Sequence, residues 1–517
     1  MAAPCFLPGN DGMIRELHPF PGGLPLAHYM EWTCGEESLL QPLPARIVLP
    51  LQQHIGLPAT PIVNVGDKVL KGQKIAAASG YVSVAIHAST SGTVTDIGDH
   101  PVPHPAGISA PCIVIEPDGE DRWYDIRPVN EYTTVDPRRL QEVIRDCGIS
   151  GLGGAGFPAH VKINEGVENA VDTLIINGVE CEPYITCDDR LIQEKASYVV
   201  AGTRMIGRAV QARHRVIAVE SDMPAAYAAL ARLVGDDIEL VQVPARYPAG
   251  GEKQLIQVIT GKEVPSGGLA IHIGILVQNV ATAAAVYRAV TRGEPVVSRY
   301  VTVAGAVPRP RNLQVLLGTP VADCLRTCGY EPRPGQRIIL GGPMMGQHLR
   351  STDVPITKTS NCILVQQEPT LATELPCIRC GNCATACPIR LLPQQLYLDA
   401  RTGDYDAARQ HHLFDCIECG CCSYVCPSHI PLVQYYRHAK SHIAAGERRR
   451  DGADHARSRF QSRTDRLRAD ALAESLPDSA GTTAAANSAY VRAAVKRTLE
   501  KRQARGAPPV EDPESHD

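Results

Sequence analysis

Aromatic side chains are scarce in this 517-residue chain, which has five Phe, two Trp and an aromatic share of 5%. A Phe in a loop must therefore be explained by what it touches. Neither charge sign dominates: the net charge is −4 and the pI about 6.5, which excludes the basic domain or stripe of a nucleic-acid binder. Long apolar runs are missing too. The best stretch, Leu269–Val290, is broken by His272, Gln278, Asn279, Tyr287 and Arg288, so no spanning helix is expected. Met1–Asn10 has no basic start before an apolar run, so no secretory leader is expected. These absences predict a cytosolic or peripheral chain whose reduced thiols are free to bind metal.

What is present suits several globular domains. Hydrophobic residues make up 44% and charged residues 21%, and the length predicts roughly three or four domains. Gly and Pro, 44 and 41 residues, exceed their usual combined share of about 12%, which points to turns and backbone-level binding loops. Residues 40–118 alternate short apolar runs with turns, as in Val63-Asn64-Val65-Gly66-Asp67-Lys68-Val69, and predict a small β module of hairpins. Its V-G-D-x-V-x-x-G-Q phrase resembles the barrel-sandwich domains of lipoyl and biotinyl carriers. The carrier lysine has no clear counterpart, so the module reads as structural. Residues 136–296 mix buried strands (Thr173–Asn177, Val216–Val219) with helices (Pro224–Val234, Ala281–Val290), which predicts a Rossmann-like α/β layer. A small β-rich, β-grasp-like module follows at 297–350, then a cysteine-rich α-helical domain at 370–436. The tail, 437–517, is charged and poor in large apolar residues, hence helical or disordered. Its Arg448-Arg449-Arg450 run reads as a solvated face.

Eighteen Cys are the strongest signal. Cys377-x2-Cys380-x2-Cys383-x3-Cys387-Pro388 is followed by Cys416-x2-Cys419-x2-Cys422-x3-Cys426-Pro427. In this ferredoxin run, three thiolates wrap one cluster and the fourth reaches the other. The spacing assigns one [4Fe–4S] cluster to Cys377, Cys380, Cys383 and Cys426, and the second to Cys387, Cys416, Cys419 and Cys422. Zinc sites would set their C-x2-C pairs further apart. Cys421 falls outside the spacing and reads as a small neighbour. Cys5, Cys34, Cys112, Cys147, Cys324, Cys328 and Cys362 read as inert thiols.

A second constellation lies upstream. Gly151-Leu152-Gly153-Gly154-Ala155-Gly156-Phe157-Pro158 is bare enough for backbone N–H groups to approach a phosphate or a flat ring. Its spacing is not that of the dinucleotide fingerprint, and a tight interdomain turn is the alternative. Phe157 has no helix or strand to bury it, which favours stacking on a ligand. The strand ending at Asn177 runs into Gly178-Val179-Glu180-Cys181-Glu182-Pro183-Tyr184, two carboxylates where open α/β sheets bind ligands. The alternative is a solvated acidic turn. Further on come Gly250-Gly251-Glu252-Lys253 and Gln278-Asn279-Val280-Ala281-Thr282.

These motifs together resemble the flavin-binding subunit of complex I. The whole order, with Cys181-Glu182-Pro183-Tyr184-Ile185-Thr186, Val264-Pro265-Ser266-Gly267-Gly268 and Leu391–Tyr397, is more similar to the RnfC family of the Rnf ion-translocating electron-transport complex. The resemblance implies that Gly151, Gly153, Gly154, Gly156 and Lys162 hold FMN, with Asn177, Glu180, Asn279 and Thr282 around the flavin. It implies that Phe157, Glu182 and Glu252 meet NADH. It further implies electron entry from NADH through FMN to two [4Fe–4S] clusters, in a peripheral subunit on the cytoplasmic side of the cell inner membrane. The implied partners are integral membrane and iron–sulfur subunits, with ferredoxin or flavodoxin reached indirectly and no nucleic acid. Two rivals remain: a soluble reductase of the cobalamin-reductase type, and a non-enzymatic iron–sulfur relay with a vestigial flavin pocket. The relay draws its support from Leu152 and Lys253, which depart from the complex I pattern.

Overall fold

The computed structural model describes residues 16–129, 132–367, 373–474 and 493. The chain divides into a body ending at Lys440 and a second unit beginning at Ser441. In the second unit the helix Leu432–Glu474 continues, with almost every side chain past Ile443 exposed. Most of the expected tail lies outside the described residues.

The first module is a pair of small sheets. Ile47–Pro50, Ser109–Pro117, Gly92–Pro101 and Lys68–Val69 form one antiparallel sheet. Thr60–Pro61, Lys74–Ala77 and Ile86–His87 form the other. Ile47, Leu49, Ile75, Ile86, Ile113 and Ile115 are buried at their core. The turns expected at Gly66 and Gly72 are present, with φ 96° and 80°, values that need glycine. His87 is sealed inside this module, and burial, with the charges of Lys358 and Lys74, pushes its imidazole down to about 3. The native state thus refuses a proton that the unfolded chain accepts near 6.5. Stability is complete above that pH and is lost as pH falls toward 3. The denaturation midpoint should drop between pH 7 and 5, and His87→Gln should flatten that slope.

The second module holds a four-stranded, all-parallel sheet: Glu239–Val243, His214–Glu220, Thr173–Gly178, Ile275–Asn279. Numbered in sequence, its order is 3-2-1-4, which puts the topological switch between Thr173–Gly178 and Ile275–Asn279. The long helix Cys187–Ala209 packs against the helix Val280–Arg292 on one face. Continuous apolar runs such as Leu174-Ile175-Ile176 form these strands because both faces are covered.

The third module is one mixed sheet. The hairpin Ser298–Gly305 and Arg311–Leu316 is followed by the helix Val321–Thr327 and the strand Gln336–Leu340. Cys362–Gln367, beyond residue 350, lies between Ser298–Gly305 and Gln336–Leu340 and runs parallel to the former. Leu39–Leu40 adds to one edge. Lys358, fully buried, donates to the carbonyls of Ala85 at 3.0 Å and Gly148 at 2.7 Å. One ammonium therefore pins the third module to the first and second.

The cysteine domain repeats itself. Arg379, Gly381 and Arg390 have positive φ (55°, 83°, 55°), and so do Glu418, Gly420 and His429 at one constant interval (57°, 83°, 51°). Gly381 and Gly420 open the matching short helices Asn382–Ala386 and Cys421–Tyr424. A strap from the N-terminal side binds this domain to the parallel sheet. Gly23 N–H donates to Ala386 O at 3.0 Å, Leu24 N–H to Tyr247 O at 2.8 Å, and His28 O accepts from Tyr184 N–H at 2.7 Å.

Candidate functional site

Asn177 and Asn279 end their strands as register partners at the switch point, where ligands of open parallel sheets bind. Asn177 donates to Gly250 O at 2.9 Å and accepts from Val179 N–H at 2.9 Å, holding two loops in place. Asn279 caps the helix Val280–Arg292 through Ala281 N–H at 2.8 Å and donates to Asp188 at 2.5 Å. Above them opens a cavity of about 1030 Å³, at the upper end of the usual pocket range of about 300–1000 Å³. All four modules wall it, including Gln52–Ile55 of the first, Gly341–Gly342 of the third and Ile417 of the cysteine domain.

The glycine loop forms one wall. It is pinched at its base by Gly151 N–H donating to Phe157 O at 2.8 Å. It opens the helix Ala159–Glu168, whose first turn no side chain caps, an arrangement suited to an anion. A Cβ on Gly153 would meet Asn279 at 3.1 Å, and one on Gly156 would strike Thr359 at 2.7 Å, while Gly154, at φ 105°, faces open space. Phe157 lines the cavity. Lys162 also lines it, paired with Glu252 at 2.7 Å.

The two acids of the Glu180-Cys181-Glu182 motif do different things. Glu180 is buried and accepts from the N–H groups of Asp188 at 3.0 Å and Asp189 at 3.1 Å, capping the helix Cys187–Ala209. Burial, and then the adjacent Asp188, push its carboxyl well above the usual range. Glu182 accepts from Met344 and Met345 N–H, both at 2.8 Å, and so ties the third module to the cavity. Thr282 is fully buried and stands behind the loop, accepting from Leu152 N–H at 3.0 Å. It steadies the glycine loop and does not line the cavity.

The residues fit an FMN. Gln278 Nε2 and Gln254 Oε1 are buried at the cavity with no hydrogen-bond partner, the bare loop leaves room at Gly154, and Lys162 supplies a cation. Sequence reasoning missed Asp188, which faces Asn279, and Arg299, whose buried guanidinium donates to Leu152 O at 3.2 Å. The acidic phrase continues through Cys187-Asp188-Asp189, which was a signal for the first; Arg299 carries none.

The thiolates gather as the spacing predicts. Cys387, Cys416, Cys419 and Cys422 wall one small pocket. Leu375 N–H donates to Ser428 O at 3.0 Å, setting the Cys377 loop beside Cys426. Among the described residues no three of these sulfurs lie within 4.8 Å of one another. Four thiolates on one zinc ion would stand about 3.8 Å apart, given Zn–S of about 2.3 Å, so the spread suits a larger cluster. Leu391 N–H donates to Cys387 Sγ at 3.3 Å, one of the contacts that tune such centres. Cys421 is buried and its thiol hydrogen-bonds to Cys419. Ile417 lines both the large cavity and the thiolate pocket, and cavity-lining Tyr247 donates its hydroxyl to Cys419 O at 2.6 Å.

Family descriptions match the modules in turn. They are the RnfC barrel sandwich hybrid domain (residues 18–120), the Nuo51 FMN-binding domain (144–288), the SLBB domain (300–347) and the 4Fe-4S dicluster domain (376–430). An FMN-binding domain sharing a wall with a dicluster domain makes the chain an oxidoreductase of the flavo-iron–sulfur class. The RnfC component of the ion-translocating oxidoreductase complex of Pseudomonas aeruginosa is 47% identical over 88% of this chain and 60% of its own. Its counterpart from Yersinia pestis bv. Antiqua is 47% identical over 84% of this chain and 71% of its own. The chain belongs to this RnfC family. It spans about 60% of the length of the first of these relatives. A solved NAD+-reducing [NiFe]-hydrogenase in its H2-reduced state aligns at 20% identity over 62% of this chain and 64% of its own, with TM-score 0.43. Among the described residues no helix is long and apolar enough to cross a membrane.

Proposed function

We propose that the chain is the electron-entry subunit of a membrane-bound, ion-translocating NADH:ferredoxin-type oxidoreductase, passing electrons between NADH, FMN and two [4Fe–4S] clusters. Ile417 carries this reading: one side chain separates the flavin cavity from the Cys387, Cys416, Cys419 and Cys422 pocket. When bound, flavin takes up a hydride pair and releases electrons singly, and iron–sulfur clusters carry them one at a time. The chain supplies the holding. Gly151, Gly153, Gly154, Gly156 and Lys162 receive the FMN, Asn177, Glu180 and Asn279 surround its ring, and Thr282 acts through the Leu152 N–H. Phe157, Glu182 and Glu252 meet NADH. The cavity's size leaves room for both ligands. Electrons leave by the cluster of Cys377, Cys380, Cys383 and Cys426, a reading supported by the exposure of the first two thiols.

The third module is β-grasp-like in this reading. The partners are integral membrane and iron–sulfur subunits, with ferredoxin or flavodoxin reached through them. The chain sits peripherally on the cytoplasmic face of the inner membrane. The test is anaerobic purification, FMN reconstitution, and titration with NADH. About one flavin and about eight iron per chain are expected, with NADH bleaching the flavin and raising reduced-cluster EPR signals. Full iron with no flavin after reconstitution, and clusters untouched by NADH, would sink the proposal in favour of a relay.

A further inference from the structure

Away from the cavity, His28, Glu220 and Asp222 converge without the hydrogen bonds that would explain them. His28 lies on the strap. Glu220 ends the strand His214–Glu220, and Asp222 follows in the turn before the helix Pro224–Ala231. His28 Nδ1 is 2.6 Å from Asp222 Oδ2 and 3.8 Å from Glu220 Oε2, and one donor atom of each lies within 4.8 Å of the others. Glu220 is wholly buried, yet neither of its oxygens has a hydrogen-bond partner. His28 Nδ1 has none either, so its short approach to Asp222 lacks hydrogen-bond alignment. Protonating Glu220 would not resolve this, because the new O–H would also lack an acceptor. Native proteins rarely leave buried polar atoms in this state.

We propose that His28 Nδ1 and the carboxylates of Glu220 and Asp222 bind a divalent transition ion, zinc by donor preference. One imidazole and two carboxylates suit zinc better than calcium or magnesium, which take oxygen donors, and the group holds no sulfur for a softer ion. Asp222, 35% exposed at its side chain, leaves a side open for a water to complete the shell. The ion cancels the charge of a carboxylate that otherwise has no counterion, and burial together with Asp222 and Glu180 already raises that carboxyl's proton affinity. It also clips the strap to the carboxyl end of the sheet.

The cluster-loaded chain, dialysed against buffered micromolar Zn2+, is analysed for zinc and iron together. One zinc per chain is expected beside full iron, falling at least tenfold in Glu220→Gln and in Asp222→Asn at the same free zinc. Zinc should raise the unfolding midpoint of the native chain and leave that of Glu220→Gln unmoved. Zinc on vacant cluster cysteines is distinguished because it rises as iron falls and persists in Glu220→Gln. A native chain with full iron and no zinc overturns the proposal, as does equal zinc in Glu220→Gln. If that variant loses iron as well, His28→Gln with intact iron decides: loss of zinc supports the site and retention overturns it.

Discussion

Cys422→Ser is expected to halve the iron content and to slow NADH-driven reduction of a one-electron acceptor on the order of 100-fold, a barrier increase of about 2.7 kcal/mol. Cys421→Ser should leave both near the native level. The two neighbours differ in geometry. Cys422 walls the pocket with Cys387, Cys416 and Cys419, so its loss removes a ligand from the centre nearest the flavin cavity. Cys421 turns its thiol toward Cys419, and a serine hydroxyl can donate in its place. Iron analysis and EPR of both variants check the assignment. The opposite pattern, half the iron missing in Cys421→Ser and all present in Cys422→Ser, would overturn it.

Gly154→Val is expected to empty the flavin site, with bound flavin below about one tenth of the native level at equal FMN, a loss of at least about 1.4 kcal/mol in binding. Two effects act in the same direction. At φ 105° only glycine is at ease, and an L-residue held at positive φ is strained by roughly 1–2 kcal/mol. The added side chain would also enter the space the loop leaves open. Iron should stay at the native level, because the thiolate domain is held by other contacts. Flavin released on denaturation, counted by fluorescence against iron, reads the result. Full flavin in a folded Gly154→Val chain would mean that this loop is not the cradle.

The thiolate grouping was legible in the sequence because ligand spacing is a local property: three sulfurs and a trailing proline lie within one loop. The parallel sheet was legible for a similar reason, since runs such as Leu174-Ile175-Ile176 need cover on both faces. What escaped was long-range. Nothing near Arg299 tells of its bond to Leu152, and Thr282 gives no sign that its hydroxyl faces a backbone N–H across the fold and not a ligand. Glu182 reads as a ligand contact, but one of its oxygens already holds the backbone of Met344 and Met345. A motif names the chemistry its residues can do; only the packing tells which partner each has taken.

The strap has a consequence for biosynthesis. Gly23 and Leu24 are translated long before Ala386 and Tyr247, to which they bond, so those contacts cannot close until the cysteine domain has emerged. Pairings this distant in sequence form late, after local ones have folded. During that interval the thiolates stay accessible to whatever delivers iron and sulfide, and the strap's closure over Cys387 follows. A chain cut before residue 25 should then still acquire its metal but lose the lock between its redox modules. The order of translation thus serves as the order of assembly.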